Sequence, residues 1–210
     1  MADLQNITNS IMNGNRADAT RLTREAIDQK VEPRAILDAM VGAMDEIGRR
    51  FQCNEVFVPE MLIASRAMKE SMALLEPMLV KAGIKPAFTV VVGTVQGDLH
   101  DIGKNLVAMM WKGANFGVVD LGTNVTAEKF VAAAKEHGAS VVGLSSLLTT
   151  TMPAMKSTVE SIHKQLPNGV RVIIGGAPIT QEFADQIGAD AFAPDAPSAV
   201  SKVREMMESR

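Results

Sequence analysis

The sequence predicts an α/β protein in two parts. An N-terminal all-α helical bundle (residues 1–85) precedes a five-stranded parallel sheet with helices on both faces (residues 86–210). Three observations lead there. Apolar residues recur at helical spacing up to about residue 84, and from residue 88 short β-branched apolar runs alternate with helical stretches. Between the two patterns, Gly83-Ile84-Lys85-Pro86 supplies a helix stop followed by a proline, a linker signal.

In the first part, Asp18-Ala19-Thr20 leads into a helical run with Leu22 and Ile27. Pro33 suits the first turn of a helix in which Ile36, Met40, Met44 and Ile47 recur. Pro59 opens a longer helix whose seam is Met61, Ser65, Met68, Met72, Leu75 and Leu79, the alternating spacing of antiparallel bundle packing. Pro77 falls late in that seam and predicts a kink or an early end. The connection at 54–58, Asn54-Glu55-Val56-Phe57-Val58, is unusually apolar for a loop.

In the second part, apolar runs at 88–92, 116–121, 140–144, 170–174 and 189–192 read as buried strands. Helical stretches at 102–112, 127–137, 153–165 and 181–187 separate them, and a last helix covers 198–207. Such alternation implies right-handed crossovers and a flavodoxin/Rossmann-like strand order, 2-1-3-4-5. Ligands of these sheets bind beyond the carboxyl ends of the strands where the order reverses. That places the loops at 94–103 and 145–153 together.

Composition bounds the function. The 210 residues carry 21 Lys+Arg against 24 Asp+Glu, a formal charge of −3. This balance leaves no basic footprint for nucleic acid or an anionic membrane. Cys53 is the only cysteine, which excludes an internal disulfide and a multi-cysteine metal site. The opening Met1-Ala2-Asp3-Leu4-Gln5 lacks the pattern of a secretion signal, and no apolar run reaches the roughly 18–20 residues of a membrane span. The expected compartment is the cytoplasm. Methionine is abundant, 14 in all with eight before residue 80. It suits either helical core filling or a surface that closes over something apolar and lets go.

The loop after the first strand, Gly93-Thr94-Val95-Gln96-Gly97-Asp98-Leu99-His100-Asp101-Ile102-Gly103-Lys104-Asn105, has neither P-loop nor dinucleotide spacing. Asp98-x-His100 puts a carboxylate two residues from an imidazole. The acid can fix the ring's tautomer and leave the other nitrogen free for a metal or for base chemistry. A plainer arrangement also fits, with Asp98 capping the next helix and His100 on the surface. Gly103, early in a helix, suggests a close-packed neighbour, since glycine there costs about 1 kcal/mol. His137 and His163 lie on helices away from the rim, as solvated residues. One protein ligand cannot hold a bare divalent ion, but it can serve a metal already held by a macrocycle.

After the third strand, Ser145, Ser146, Thr149, Thr150 and Thr151 crowd one loop, more hydroxyls than one helix cap needs. After the fourth, Gly175-Gly176-Ala177-Pro178 has almost no side chains, as where a backbone must approach a ligand closely.

Together these elements resemble the cobalamin-binding corrinoid proteins of methyltransferase systems, similar to the matching module of methionine synthase. Asp98-Leu99-His100-Asp101-Ile102-Gly103 fits the family's DxHxxG, Ser145-Ser146-Leu147 its SxL, and Gly175-Gly176 its GG. The resemblance implies a bound cobalamin whose cobalt takes His100 as axial ligand, base-off and His-on. Asp98 would hydrogen-bond the imidazole and Thr151 would complete the relay, in a position where the methionine synthase module has Ser. Gly97, Asp98, Leu99, His100, Asp101, Ile102, Gly103, Ser145, Leu147, Thr149, Gly175 and Gly176 would contact the cofactor. Phe57 would pack over the methyl group on the helical cap.

The implied function is a methyl carrier between a donor-specific methyltransferase and an acceptor methyltransferase using a tetrahydrofolate or a coenzyme thiol. A corrinoid reactivating protein is a further implied partner. Two rivals share the motif: a cobalamin-dependent sensor, which usually adds an effector or DNA-binding segment, and the cobalamin subunit of a mutase, which normally lacks the helical cap.

Overall fold

The computed structural model describes residues 3–166 and 169–208; Met1 and Ala2, where a leader would begin, lie outside them. The chain forms two compact units, one of residues up to 86 with Gly113–Asn115, the other of the remainder.

The helical unit contains α1 (Leu4–Met12), α2 (Arg16–Asp28), α3 (Pro33–Gln52) and α4 (Val58–Lys81). α1 was not delimited by the sequence pattern, because it is short and buries only Ile7 and Ile11. Asp3 starts it, its carboxylate accepting the Gln5 N–H at 3.0 Å. Pro33 and Pro59 stand in the first turns of α3 and α4, where a missing N–H costs nothing. Met40, Met44, Met61 and Met68 are buried with Ile36, Ile47, Leu75 and Leu79, so these methionines are core. Met72 is only half-buried, and Ser71 is buried in its place. Pro77 does not end α4, which runs on to Lys81. Pro77 and Ala73 are both exposed, so the helix carbonyl that loses its donor can turn to water.

The second unit is a parallel sheet of β1 (Thr89–Thr94), β2 (Gly117–Asp120), β3 (Val141–Ser145), β4 (Arg171–Gly175) and β5 (Ala191–Phe192), in the order β2-β1-β3-β4-β5. Its helices are α5 (Ile102–Gly113), α6 (Ala127–Glu136), α7 (Met152–Gln165), α8 (Gln181–Ile187) and α9 (Ala196–Glu208). One face packs Val91, Val142, Val172 and Ile174 against Phe130, Met155, Val159 and Ile162. On the other face Trp111 of α5 lies against Gly143, where a β-carbon would sit 2.5 Å from its ring. β2 is half-exposed rather than fully buried, because it is an edge strand. α9 begins two residues earlier than its pattern suggests, with the Asp195 carboxylate accepting the Ser198 N–H at 2.7 Å.

β1, β3 and β4 also run past the carboxyl ends of the apolar runs that mark them, whereas β2 and β5 are shorter than theirs. Thr94, Ser145 and Gly175 are not loop residues but cross-strand neighbours, Thr94 opposite Ser145 and Ser145 opposite Gly175. Hydropathy could not show this, since polar and glycine residues end the apolar run while the backbone ladder continues. The register therefore aligns the three motif segments at one edge of the sheet.

Candidate functional site

The site grows from Asp98. Its side chain is fully buried, yet no lysine or arginine among the described residues bonds it. Oδ1 accepts the His100 backbone N–H at 3.0 Å and lies 2.7 Å from His100 Nδ1. Oδ2 faces the backbone N–H groups of Leu147 at 2.7 Å and Leu148 at 3.3 Å, and the Thr151 hydroxyl at 3.2 Å. Burial pushes this carboxyl's pKa up, but the amides of His100 and Leu147, the His100 ring and Thr151 outweigh it. They hold the group well below the ordinary carboxylate range. Asp98 is thus an anion that can only accept, so in the neutral ring Nδ1 carries the proton and Nε2 the lone pair.

His100 itself is 51% exposed, and its Nε2 has no partner among the described residues. Its carbonyl accepts the Thr94 hydroxyl at 2.8 Å. Asp98 therefore does not serve as a simple cap for α5; it braces His100 and the loop after β3. Thr151 stands at the N-cap of α7 without capping it, because its hydroxyl turns to Asp98 and to Ser146 Oγ, 2.7 Å away. The N-cap residue of α7 thus makes no side-chain cap bond.

The glycines divide into two kinds. Gly176, at φ +134°, is required by the protein itself: a β-carbon there would overlap the Ser146 carbonyl oxygen. A β-carbon on Gly175 would stand 3.0 Å from the Ala193 carbonyl oxygen. Gly103 has no close-packed neighbour, contrary to the sequence expectation; a β-carbon there meets only open space. Beside that space Leu99 is 73% and Ile102 81% exposed, and Leu147 and Leu148 are partly exposed too. An outward imidazole nitrogen, an open glycine and an apolar rim fit a large, partly apolar group that brings its own metal. One imidazole supplies a single ligand, and no three His, Cys, Asp or Glu side chains gather as a metal cage among the described residues.

Comparison with known proteins agrees. Residues 88–204 match a B12 binding domain, and residues 4–76 match a second B12 binding domain model. A corrinoid protein of Desulfitobacterium hafniense (strain Y51) is 36% identical, over 99% of this chain and 98% of its own. Dimethylamine corrinoid protein 1 of Methanosarcina acetivorans is 37% identical, over 91% and 92%. The chain belongs to the cobalamin-binding corrinoid proteins of methyltransferase systems. Among solved structures, the methanol:cobalamin methyltransferase complex of Methanosarcina barkeri contains a chain that matches this corrinoid protein with a TM-score of 0.86 and 26% identity. That match covers 99% of this chain and 80% of the other.

In this corrinoid protein the sheet unit gathers Gly97, Asp98, His100, Leu147 and Thr151 into one connected cluster, with Ser145 and Gly175 in the adjoining strand ends. Asp101 is exposed and accepts from Asn105 Nδ2 at 2.9 Å; Thr149 is exposed on a short 3₁₀ turn, Thr149–Thr151. Phe57 lies in the helical unit, at the N-cap of α4, 62% exposed. Three supports escaped sequence reasoning. Ser146, fully buried, bonds Thr151; Thr94 holds the His100 carbonyl; Asn124 accepts the Gly97 N–H at 2.9 Å and donates its own N–H to the Asp98 carbonyl at 3.0 Å. Asn124 sits at φ +54°, and its one sequence signal is an asparagine just after Gly122, a turn composition. His137 is exposed as expected, but His163 is not merely solvated: its Nε2 lies 3.1 Å from Asp190 Oδ2. Among the described residues no helix is long and apolar enough to cross a membrane.

Proposed function

We propose that this corrinoid protein is a methyl carrier that binds its corrinoid base-off and His-on. It would serve a donor-specific methyltransferase on one side and, on the other, an acceptor methyltransferase using a tetrahydrofolate or a coenzyme thiol. One observation carries the reading: the His100 ring is fixed at Nδ1, 2.7 Å from a buried carboxylate, and turns Nε2 outward. When bound, the corrinoid supplies a cobalt that can accept and give up a methyl group.

The chain's own residues do the rest. His100 offers the axial nitrogen. Asp98 holds the proton on Nδ1 and stops the ring from turning, which raises the donor strength of Nε2. Thr151 steadies Asp98 Oδ2, and Leu147 ties the loop after β3 to the same oxygen. Gly103, Leu99 and Ile102 leave room and apolar surface beside the ring. The helical unit, with Phe57 exposed, would shield the bound methyl group from water. A corrinoid reactivating protein is a further partner of this reading.

Its test is spectroscopic. The wild-type protein loaded with methylcobalamin should show the absorption of imidazole-coordinated methyl–cobalt. His100→Ala should lose that absorption while still binding the corrinoid. An unchanged spectrum in the variant would refute the ligand assignment. A loaded protein that exchanges methyl groups with no methyltransferase would instead favour the sensor.

A further inference from the structure

We infer that Lys104 and Asp120 form a clamp that positions the His100 loop, a role that rests on His100 being the corrinoid ligand. Lys104, in the first turn of α5, is only 3% exposed. An ammonium has three protons to place. Nζ lies 2.6 Å from each Asp120 carboxylate oxygen and 2.7 Å from Asn105 Oδ1, so all three find acceptors. Asp120 ends β2, on the strand next to β1.

From this ammonium two chains of hydrogen bonds lead to the residues around His100. Along the first, Asp120 Oδ1 accepts the Gly122 N–H at 2.9 Å, and the Gly122 carbonyl accepts the Thr94 N–H at 2.9 Å. The Thr94 hydroxyl then donates to the His100 carbonyl at 2.8 Å. Along the second, Asn105 Nδ2 donates to Asp101 Oδ2 at 2.9 Å, on the residue that follows His100. The turn that Asp120 starts also carries Asn124, which holds Gly97 and the Asp98 carbonyl.

A buried ion pair is weak grounds for stability, since an apolar pair of similar volume often does as well. An apolar pair could not hold the Gly122 amide and the Asn105 side chain together. The pair is therefore better explained by position than by stability. Neither residue touches the imidazole; they act through Thr94 and Asp101.

Lys104→Met tests this. It removes the buried charge and leaves Asp120, which is partly exposed, to water and the Gly122 amide. Three readouts are expected to move. Amide exchange at 97–103 in the cofactor-free protein should quicken. Methylcobalamin affinity should fall roughly tenfold, the lower end of what supporting partners of a metal ligand cost. At saturation, part of the bound corrinoid should shift to the imidazole-off spectrum. In a His100→Ala background the same substitution should cost no further affinity. A lowered melting temperature with wild-type exchange, affinity and spectrum would overturn the clamp, as would a loss fully additive with His100→Ala. If wild-type protein shows no imidazole coordination, the ligand assignment fails instead, and amide exchange still judges the clamp. Should Lys104→Met fail to fold, Asp120→Asn keeps an acceptor for Gly122, removes the charge and one of the acceptors of Lys104, and is expected to move the same readouts.

Discussion

Two Asp–His pairs stand at opposite ends of the same sheet and do opposite things. Near the carboxyl ends of the strands, Asp98 is fully buried, bonded by amides and a hydroxyl, and lies 2.7 Å from Nδ1 of an outward-facing ring. Near the amino ends, Asp190 accepts from Arg171 Nη1 at 2.8 Å and the Val172 N–H at 2.7 Å, with His163 Nε2 3.1 Å away. Asp190 is already compensated by a guanidinium, so its histidine adds a brace between α7 and the segment before β5. Asp98 has no lysine or arginine partner among the described residues, so its charge falls on amide dipoles, a hydroxyl and one imidazole. The same two residue types yield a structural tie in one place and, in the other, a ring with one nitrogen fixed and the other unpartnered among the described residues. The counter-charge decides which.

The sharpest way to break this contrast is to remove the charge from each acid. Asp98→Asn turns an NH2 group toward amide donors and should lower unfolding free energy by about 3 kcal/mol. That is the scale of a buried group whose charge-assisted bonds are lost. Asp190→Asn, with Arg171 still able to reach solvent, should cost about 1 kcal/mol. Urea unfolding of both variants measures the gap, and equal losses would mean that the missing cation makes no difference.

The same contrast has a pH form. Asp98 binds its proton less readily folded than unfolded, so its contribution is present above the ordinary carboxylate range and fades as pH falls below it. The stability difference between wild type and Asp98→Asn should therefore shrink on going from about pH 5 toward pH 2. A difference constant across that range would contradict the depressed proton affinity.

These two pairs also show what a sequence can reveal. Asp98-x-His100 is legible because both partners lie within three residues, and a loop geometry that joins them is easily imagined. His163 and Asp190 are 27 residues apart and meet only because α7 returns along the sheet. For the same reason Lys104–Asp120, Asn124 and Ser146 stayed hidden although each lies close to a motif. Strand order, by contrast, was fully readable, since alternating runs and crossover handedness leave few arrangements. Strand ends were not: Thr94, Ser145 and Gly175 look like loop by hydropathy and are ladder by backbone.

A smaller effect is expected one layer behind Asp98. Thr151 has one hydroxyl proton and three acceptors in reach: Asp98 Oδ2 at 3.2 Å, the Leu148 carbonyl at 2.9 Å and Ser146 Oγ at 2.7 Å. Ser146 brings a second proton, so Thr151 can donate to Asp98 while Ser146 donates either to Thr151 Oγ1 or to the Leu148 carbonyl, 3.2 Å away. Thr151→Val should cost about 1–2 kcal/mol, because it removes a donor to a buried anion and leaves Ser146 only the Leu148 carbonyl at 3.2 Å. Ser146→Ala should cost about 1 kcal/mol and leave Thr151 free to face Asp98. If the serine variant lost more stability than the valine one, the order of the relay would be reversed.

The smallest effect belongs to the other pair. His163→Ala removes a half-exposed partner from an acid that keeps Arg171 and an amide, so stability should change by no more than about 0.5 kcal/mol. Its methylcobalamin spectrum should match wild type, since nothing links Asp190 to the opposite rim among its hydrogen bonds. His100→Ala should cost more, about 1.5–3 kcal/mol, because it takes a charge-assisted bond from a buried carboxylate, and it should also erase the imidazole-bound spectrum. Two histidine deletions of which only one erases the spectrum would separate a brace from a ligand. A spectral change on losing His163 would mean that the two ends of the sheet are coupled and the contrast between them is false.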